Sequence, residues 1–276
     1  MSILVTAEQL QALLASGDRV VVLDVRWKLG GPPGKPLYLA GHIPTAVYVD
    51  LDTELARHGE KDEGRHPVPL IDDLQRAARS WGIDPGDTVV VYDDLSNLSS
   101  ARGWWLLRNA GITDVRLLDG ALGAWIAAGY ELETGDVRPT PGSVTLEYGS
   151  LPTLDGDGAA ALASTGVLLD ARAPERFRGE VEPMDPRAGH IPGARNAPAA
   201  ANVDASGRFL PADELRARFE ALGVRDDRPV GVYCGSGVTA AADAVALTLA
   251  GFAPALYPGS WSAWSNTPGR PVATGA

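Results

Sequence analysis

The chain has 276 residues, 45% hydrophobic and 21% charged, an ordinary globular composition whose length suggests two domains at about 150 residues each. A formal net charge of −11 with no Lys/Arg cluster argues against nucleic acid as a partner. No apolar run reaches the ~20 residues of a membrane-spanning helix, and the first residues lack the basic and apolar regions of a signal peptide, so no membrane association is expected. With one cysteine no internal disulfide can form, which suits a reducing, cytoplasmic setting. The four histidines, His42, His58, His66 and His190, show no metal-ligand spacing, so neither a metal nor another cofactor is expected.

Thr6-Ala7-Glu8-Gln9 has the form of a capping box opening a helix, and Val20 to Asp24 reads as a strand. A helix follows from about Ile71 to Trp81, then a strand from Thr88 to Tyr92, a helix near Ser99 to Asn109 and a strand from Val115 to Leu118. The second half repeats the pattern with a strand at Val167 to Asp170, a helix at Ala212 to Leu222, a strand at Pro229 to Tyr233 and a helix at Thr239 to Ala250. Such alternation implies an α/β protein built on parallel sheets wrapped on both faces. The tryptophans Trp104, Trp105, Trp125, Trp261 and Trp264 read as core.

Four landmarks recur in the same order, about 140 residues apart, and mark a duplicated domain. Asp24-Val25-Arg26 returns as Asp170-Ala171-Arg172, and Gly41-His42-Ile43-Pro44 as Gly189-His190-Ile191-Pro192. Val91-Tyr92-Asp93 returns as Val232-Tyr233-Cys234, and Gly120, Ala124 and Trp125 as Gly259, Ala263 and Trp264. The Pro- and Gly-bearing stretch Glu133 to Ser150 reads as a linker, giving a first domain over 1–135, a linker over 136–150 and a second domain over 151–276.

The sole cysteine, Cys234, ends a strand and enters Gly235-Ser236-Gly237-Val238-Thr239 before a helix. Glycines there let successive N–H groups surround one point at a helix N-terminus, which attracts negative charge and favours the nucleophilic thiolate. At the matching position the first half carries Asp93, which cannot form the same covalent intermediate, so one working site is expected, in the second half. Asp170 and Arg172 read as holding their strand–loop junction.

These motifs resemble the tandem-domain rhodanese-like sulfurtransferases over essentially the whole chain. The Cys-Gly-Ser-Gly-Val-Thr loop is the most specific of them, and looks like the 3-mercaptopyruvate branch; thiosulfate-preferring rhodaneses typically carry Arg and Lys between Cys and Gly. The resemblance implies that Cys234 takes a sulfane sulfur from 3-mercaptopyruvate or thiosulfate as a persulfide. It would then pass that sulfur to a thiophilic acceptor, cyanide or a thiol of a thioredoxin-like protein. The amides of Gly235, Ser236, Gly237, Val238 and Thr239 would hold the anionic sulfur. Arg176 matches a family arginine that binds the donor's acid group, with Arg187 the nearest second arginine. Ser236 matches a proton-relaying serine, and His42 a supporting histidine from the first half.

Two other readings compete. Cysteine phosphatase loops carry Arg six positions after Cys, where this chain has Ala240, so phosphoryl chemistry lacks its charge stabiliser. A non-catalytic rhodanese-like binding module would lose the cysteine, which the second half keeps.

Overall fold

The valine-rich runs become the central strands of two parallel sheets, each covered by helices. The structure is a computed structural model that describes residues 2–276. In chain order the first half carries β1 (Leu4–Val5), α1 (Ala7–Ser16), β2 (Val20–Asp24), α2 (Gly34–Ala40), β3 (Val47–Tyr48), α3 (Leu51–Glu54), α4 (Ile71–Ser80), β4 (Thr88–Tyr92), α5 (Ser100–Asn109), β5 (Val115–Leu118) and α6 (Ala121–Ala127). The second half carries α7 (Gly156–Thr165), β6 (Val167–Asp170), α8 (Pro174–Phe177), β7 (Arg195–Asn196), α9 (Ala212–Ala221), β8 (Val230–Tyr233), α10 (Ala240–Leu249), β9 (Pro254–Leu256) and α11 (Ser260–Asn266). One sheet runs β1-β5-β4-β2-β3 and the other β7-β6-β8-β9, with all pairings parallel. β8 is buried throughout and β4 from Val89 onward, which is why both read as unbroken apolar runs rather than alternating ones.

The chain forms two compact units, neither of them continuous in sequence. The first comprises Met1–Arg57, Val68–Leu151 and Asp204–Phe209; the second comprises His58–Pro67, Pro152–Val203 and Leu210–Ala276. The stretch read as a linker packs on the first unit instead. Val144 and Leu146 are buried, Val144 N–H bonds Ile83 O at 3.1 Å, and Gly142 N–H bonds Arg79 O at 2.7 Å. A Cβ on Gly142 would fall 2.1 Å from Ile83 O, so this glycine serves close backbone approach rather than flexibility. The alternation Val144-Thr145-Leu146-Glu147 is the period-two pattern of a half-buried extended segment.

The recurring landmarks recur because they touch. In the second unit Arg172 donates to both Asp170 oxygens, at 2.6 Å for the closest, and its Nη2 reaches Gly189 O at 2.7 Å. The Tyr233 hydroxyl accepts from Ile191 N–H at 3.1 Å, joining the strand end to the Gly-His-Ile-Pro turn. The first unit repeats the pattern with Arg26, Asp24, Gly41 O, Tyr92 and Ile43 N–H. The Gly…Ala spacing has a steric cause, since a Cβ on Gly120 or Gly259 would lie 2.8 Å from the Cβ of Ala124 or Ala263. All five tryptophans named above are buried, and the second unit's core gathers Leu162, Leu168, Phe177, Ile191, Tyr233, Tyr257, Trp261 and Trp264.

Removing Arg172 strands a buried carboxylate, so Arg172→Leu is expected to lower stability by about 3–5 kcal/mol in a denaturant titration. A second expectation concerns Asp243 in α10, whose carboxyl is pushed up to about 7 by burial, against the pull of Arg218 and a 2.5 Å bond from Asn202. With its folded value above its unfolded value, the folded state holds the extra proton between about pH 4 and pH 7, and stability falls as pH rises through that window. Asp243→Asn should match the parent near pH 4 and exceed it increasingly up to pH 7, by about 4 kcal/mol at most. Thermal melts across that range measure the difference.

Candidate active site

Cys234 follows directly on β8, 2% exposed, at the start of a loop closed by the N-terminus of α10. Gly237 has φ +78°, and a Cβ there would fall 2.2 Å from Pro258 O, so only glycine fits. Its N–H thereby turns back onto Cys234 Sγ at 3.2 Å. α11 fixes the loop from the other side. Trp261 N–H donates to Cys234 O at 2.9 Å, Ser262 N–H to Gly235 O at 2.8 Å, and Ser260 Oγ accepts from Cys234 N–H at 3.1 Å. The Gly-x-x-x-Ala-Trp landmark therefore holds the cysteine loop in place. Val238 turns its side chain into the core, and Thr239 sits at the N-cap of α10, where the helix dipole adds positive potential.

Ser236 is also buried, and its Oγ lies 2.7 Å from His66 Nδ1, a pairing able to move a proton. His66 comes from His58–Pro67, a piece of the first half of the sequence that belongs to the second unit. Gly64, at φ +91°, lies so near Gly259 O that a Cβ would stand 2.7 Å from it, and this close approach delivers Arg65 and His66 to the loop.

Two guanidinium groups face Gly235. A Cβ on that glycine would lie 3.2 Å from Arg65 Nη2 and 3.4 Å from Arg176 Nη1. Arg176 Nη2 donates to Glu182 Oε1 at 2.6 Å, and Glu182 Oε2 lies 3.3 Å from Arg172 Nη1. Asp185 pairs with Arg65 through Oδ1 and stands 3.6 Å from Arg176 Nη2 through Oδ2. Among the described residues Arg65 Nε and Nη2 and Arg176 Nε are buried with no acceptor. Buried donors without a partner on two guanidiniums beside Gly235, the residue after the thiol, suit an anion.

Two expected participants are placed otherwise. Arg187 spends its guanidinium on the carbonyls of Trp264, Ser265, Thr267 and Arg270, at 2.6–3.2 Å, and so caps the C-terminal end of α11 rather than facing the loop. His42 is fully buried, with Nδ1 on Tyr38 O at 2.9 Å and its ring stacked on Tyr38 at 4.1 Å. Its counterpart His190 does the same with Phe177 O and the Phe177 ring, so both histidines build their turns. The histidine on Ser236 is His66 instead. Arg65, His66, Glu182 and Asp185 went unread because they lie in charged, motif-free stretches that resemble solvated surface; Gly64 and Pro67 bracketing Arg65-His66 were the available signal.

The first unit shows the same loop closed on itself. The Asp93 carboxylate accepts from the N–H groups of Leu95, Asn97, Ser99 and Ser100 at 2.8–2.9 Å. Burial pushes its carboxyl up, and those four amides pull against that push. The cradle is filled by its own side chain.

Comparison with known proteins agrees with this geometry. The Rhodanese-like domain family matches residues 6–128 and 156–267. A Mycobacterium tuberculosis protein provisionally named thiosulfate sulfurtransferase SseB is 48% identical over 278 residues, covering 99% of this chain and 97% of its own. A Pseudomonas aeruginosa protein named as a probable 3-mercaptopyruvate sulfurtransferase is 47% identical over 281 residues, covering 99% and 98%. The crystal structure of SseA from Escherichia coli, titled for the rhodanese fold and the mechanism of 3-mercaptopyruvate sulfotransferases, superposes with a TM-score of 0.85 at 32% identity, over 95% of this chain and 99% of that one. A duplicated domain with one cysteine-bearing loop, matched along its whole length by such relatives, places the chain among the tandem-domain rhodanese-like sulfurtransferases.

Proposed function

We propose that the second unit catalyses transfer of a sulfane sulfur from a small anionic donor, through a persulfide on Cys234, to a thiophilic acceptor. The observation that carries this is the buried Cys234 sulfur receiving the Gly237 N–H, with two guanidiniums at the adjoining Gly235. The Cys234 thiolate attacks the donor's outer sulfur, forming the S–S bond as the sulfur's bond to the rest of the donor breaks. From 3-mercaptopyruvate the electron pair leaves on carbon, and the enolate takes up the thiol's proton to become pyruvate; from thiosulfate it leaves as sulfite. Attack of cyanide or a thiol on the outer sulfur then returns the thiolate, giving thiocyanate or a new persulfide.

Arg176 orients the donor's acid group. The Ser236–His66 pair carries the proton to the departing enolate, which thiosulfate does not need. Amides of the loop stabilise the persulfide anion, as those around Asp93 hold a carboxylate. The two relatives named above carry names from both donor classes, so the donor is argued from the site. No cationic side chain lies between Cys234 and Thr239, and the relay serves a carbon leaving group, so 3-mercaptopyruvate is the favoured donor. A lone thiol cysteine fits the reducing cytoplasm.

Mixing the protein with donor alone should add one sulfur atom by mass, which cyanide removes; Cys234→Ser should lose both the adduct and turnover, and turnover surviving in that variant would refute the mechanism. Arg176→Ala should cost about 2–4 kcal/mol in kcat/KM for persulfide formation and far less for transfer from a preformed persulfide. His66→Ala should slow loading from 3-mercaptopyruvate about a hundredfold, with much smaller loss from thiosulfate. Stopped-flow measurement with each donor separates these effects, and equal slowing with both donors would assign His66 to loop architecture.

A further inference from the structure

The ion pairs beside Gly235 form a row in which Asp170 holds Arg172, Glu182 bridges Arg172 and Arg176, and Asp185 faces both Arg176 and Arg65. Three guanidiniums meet three carboxylates, so this wall has no net formal charge even while it presents buried N–H groups lacking acceptors. We propose that Arg65 is the second cation of the donor subsite and that Asp185 sets the subsite's charge, so that it selects a singly charged carboxylate over a dianion. The proposal rests on the sulfurtransferase reading above and names what that site discriminates.

Three observations carry it. Arg65 Nη2 stands nearer the space above Gly235 than any atom of Arg176, so a donor seated beside Cys234 meets both groups. Arg65 Nη1 is tied to Asp185, while Nε and Nη2 are buried without an acceptor among the described residues, and Nη2 is the one that faces Gly235. Asp185 is itself buried, its side chain 1% exposed, with Oδ2 lacking a hydrogen-bond donor among the described residues. A buried negative charge is poorly screened, and its repulsion scales with donor charge, so a dianion feels it twice as strongly as a monoanion.

Arg65→Ala, Arg65→Lys and Asp185→Asn are compared with the parent protein by single-turnover persulfide formation from 3-mercaptopyruvate and from thiosulfate. Transfer to cyanide after prolonged loading at saturating donor is followed alongside and shows that each variant is folded. Arg65→Ala should lower loading kcat/KM about thirtyfold or more with either donor while sparing transfer to cyanide, and Arg65→Lys should recover part of the loss. Asn keeps an acceptor for Arg65 Nη1, so Asp185→Asn should leave the pair in place and raise the thiosulfate-to-mercaptopyruvate ratio about tenfold. Unchanged loading in both Arg65 variants, or an unmoved ratio in Asp185→Asn, would overturn the proposal while leaving the Cys234 mechanism standing. A parent protein that gains no sulfur from either donor would overturn both.

Discussion

The buried guanidinium of Arg172 is the group on which the second unit's site depends. It forks onto Asp170 at the end of β6, reaches Gly189 O in the Gly-His-Ile-Pro turn, meets Glu182 on the donor side and lies 4.8 Å over the ring of Trp261. Trp261 N–H in turn bonds Cys234 O, and Tyr233, the residue before Cys234, is tied through its hydroxyl to Ile191 N–H. One planar cation with five donors can serve all these directions at once, which a lysine could not. Its burial would be costly without complete pairing, so the pairing fixes the geometry. The cysteine is positioned by a network that never touches its sulfur.

The duplicated loop serves two uses, and the residue that opens it differs accordingly. Asp93 brings a carboxylate that satisfies four of its own loop's amides, so that the first unit's cradle is occupied by its own side chain. Cys234 brings one polarisable atom that takes the Gly237 amide, so the loop keeps capacity for the second sulfur of a persulfide. Backbone strain marks both loops' supports, with positive φ at Ala121 and Ser260, where α6 and α11 begin. In each unit the helix that follows then sends an N–H to the carbonyl of the loop's first residue or its neighbour: Leu122 to Asp93 O, Ser262 to Gly235 O.

Most of the fold was legible because its signals are periodic or repeated. β2, β4, β5 and β6 stand at the residues read for them, β8 begins one residue later, and the read helices end within a residue or two of their expected limits. The shortest elements, β1, β3 and β7, carry two residues each, too few for any period to show. The cysteine and its loop were legible because loop chemistry is local in sequence, whereas Arg176, which the structure places beside Gly235, was read from the family resemblance alone. His66 and Arg65 were not. They reach Ser236 and Gly235 from 170 residues away along the chain, and what brings them there is Gly64's approach to Gly259 O, a contact that composition cannot reveal. The resemblance of His42 to a supporting histidine failed for a related reason, since a turn motif present in both halves is explained by what the halves share, and catalysis is not shared.

An acidic chain that handles anionic donors must supply its attraction at short range. With a formal charge of −11 the overall field opposes the donor's approach. That field is screened beyond a Debye length of about 8 Å at physiological salt, whereas buried N–H groups act within a few ångströms and in a medium that weakens them little. Arg172, Arg176 and Arg65 are each matched by a carboxylate, so they add no long-range pull and present direction rather than charge. Directional donors reward a ligand whose oxygens fit them and gain little from one that only carries more charge. A neutral wall of buried guanidiniums, each paired with a buried carboxylate, therefore offers a ligand directed N–H groups rather than net charge.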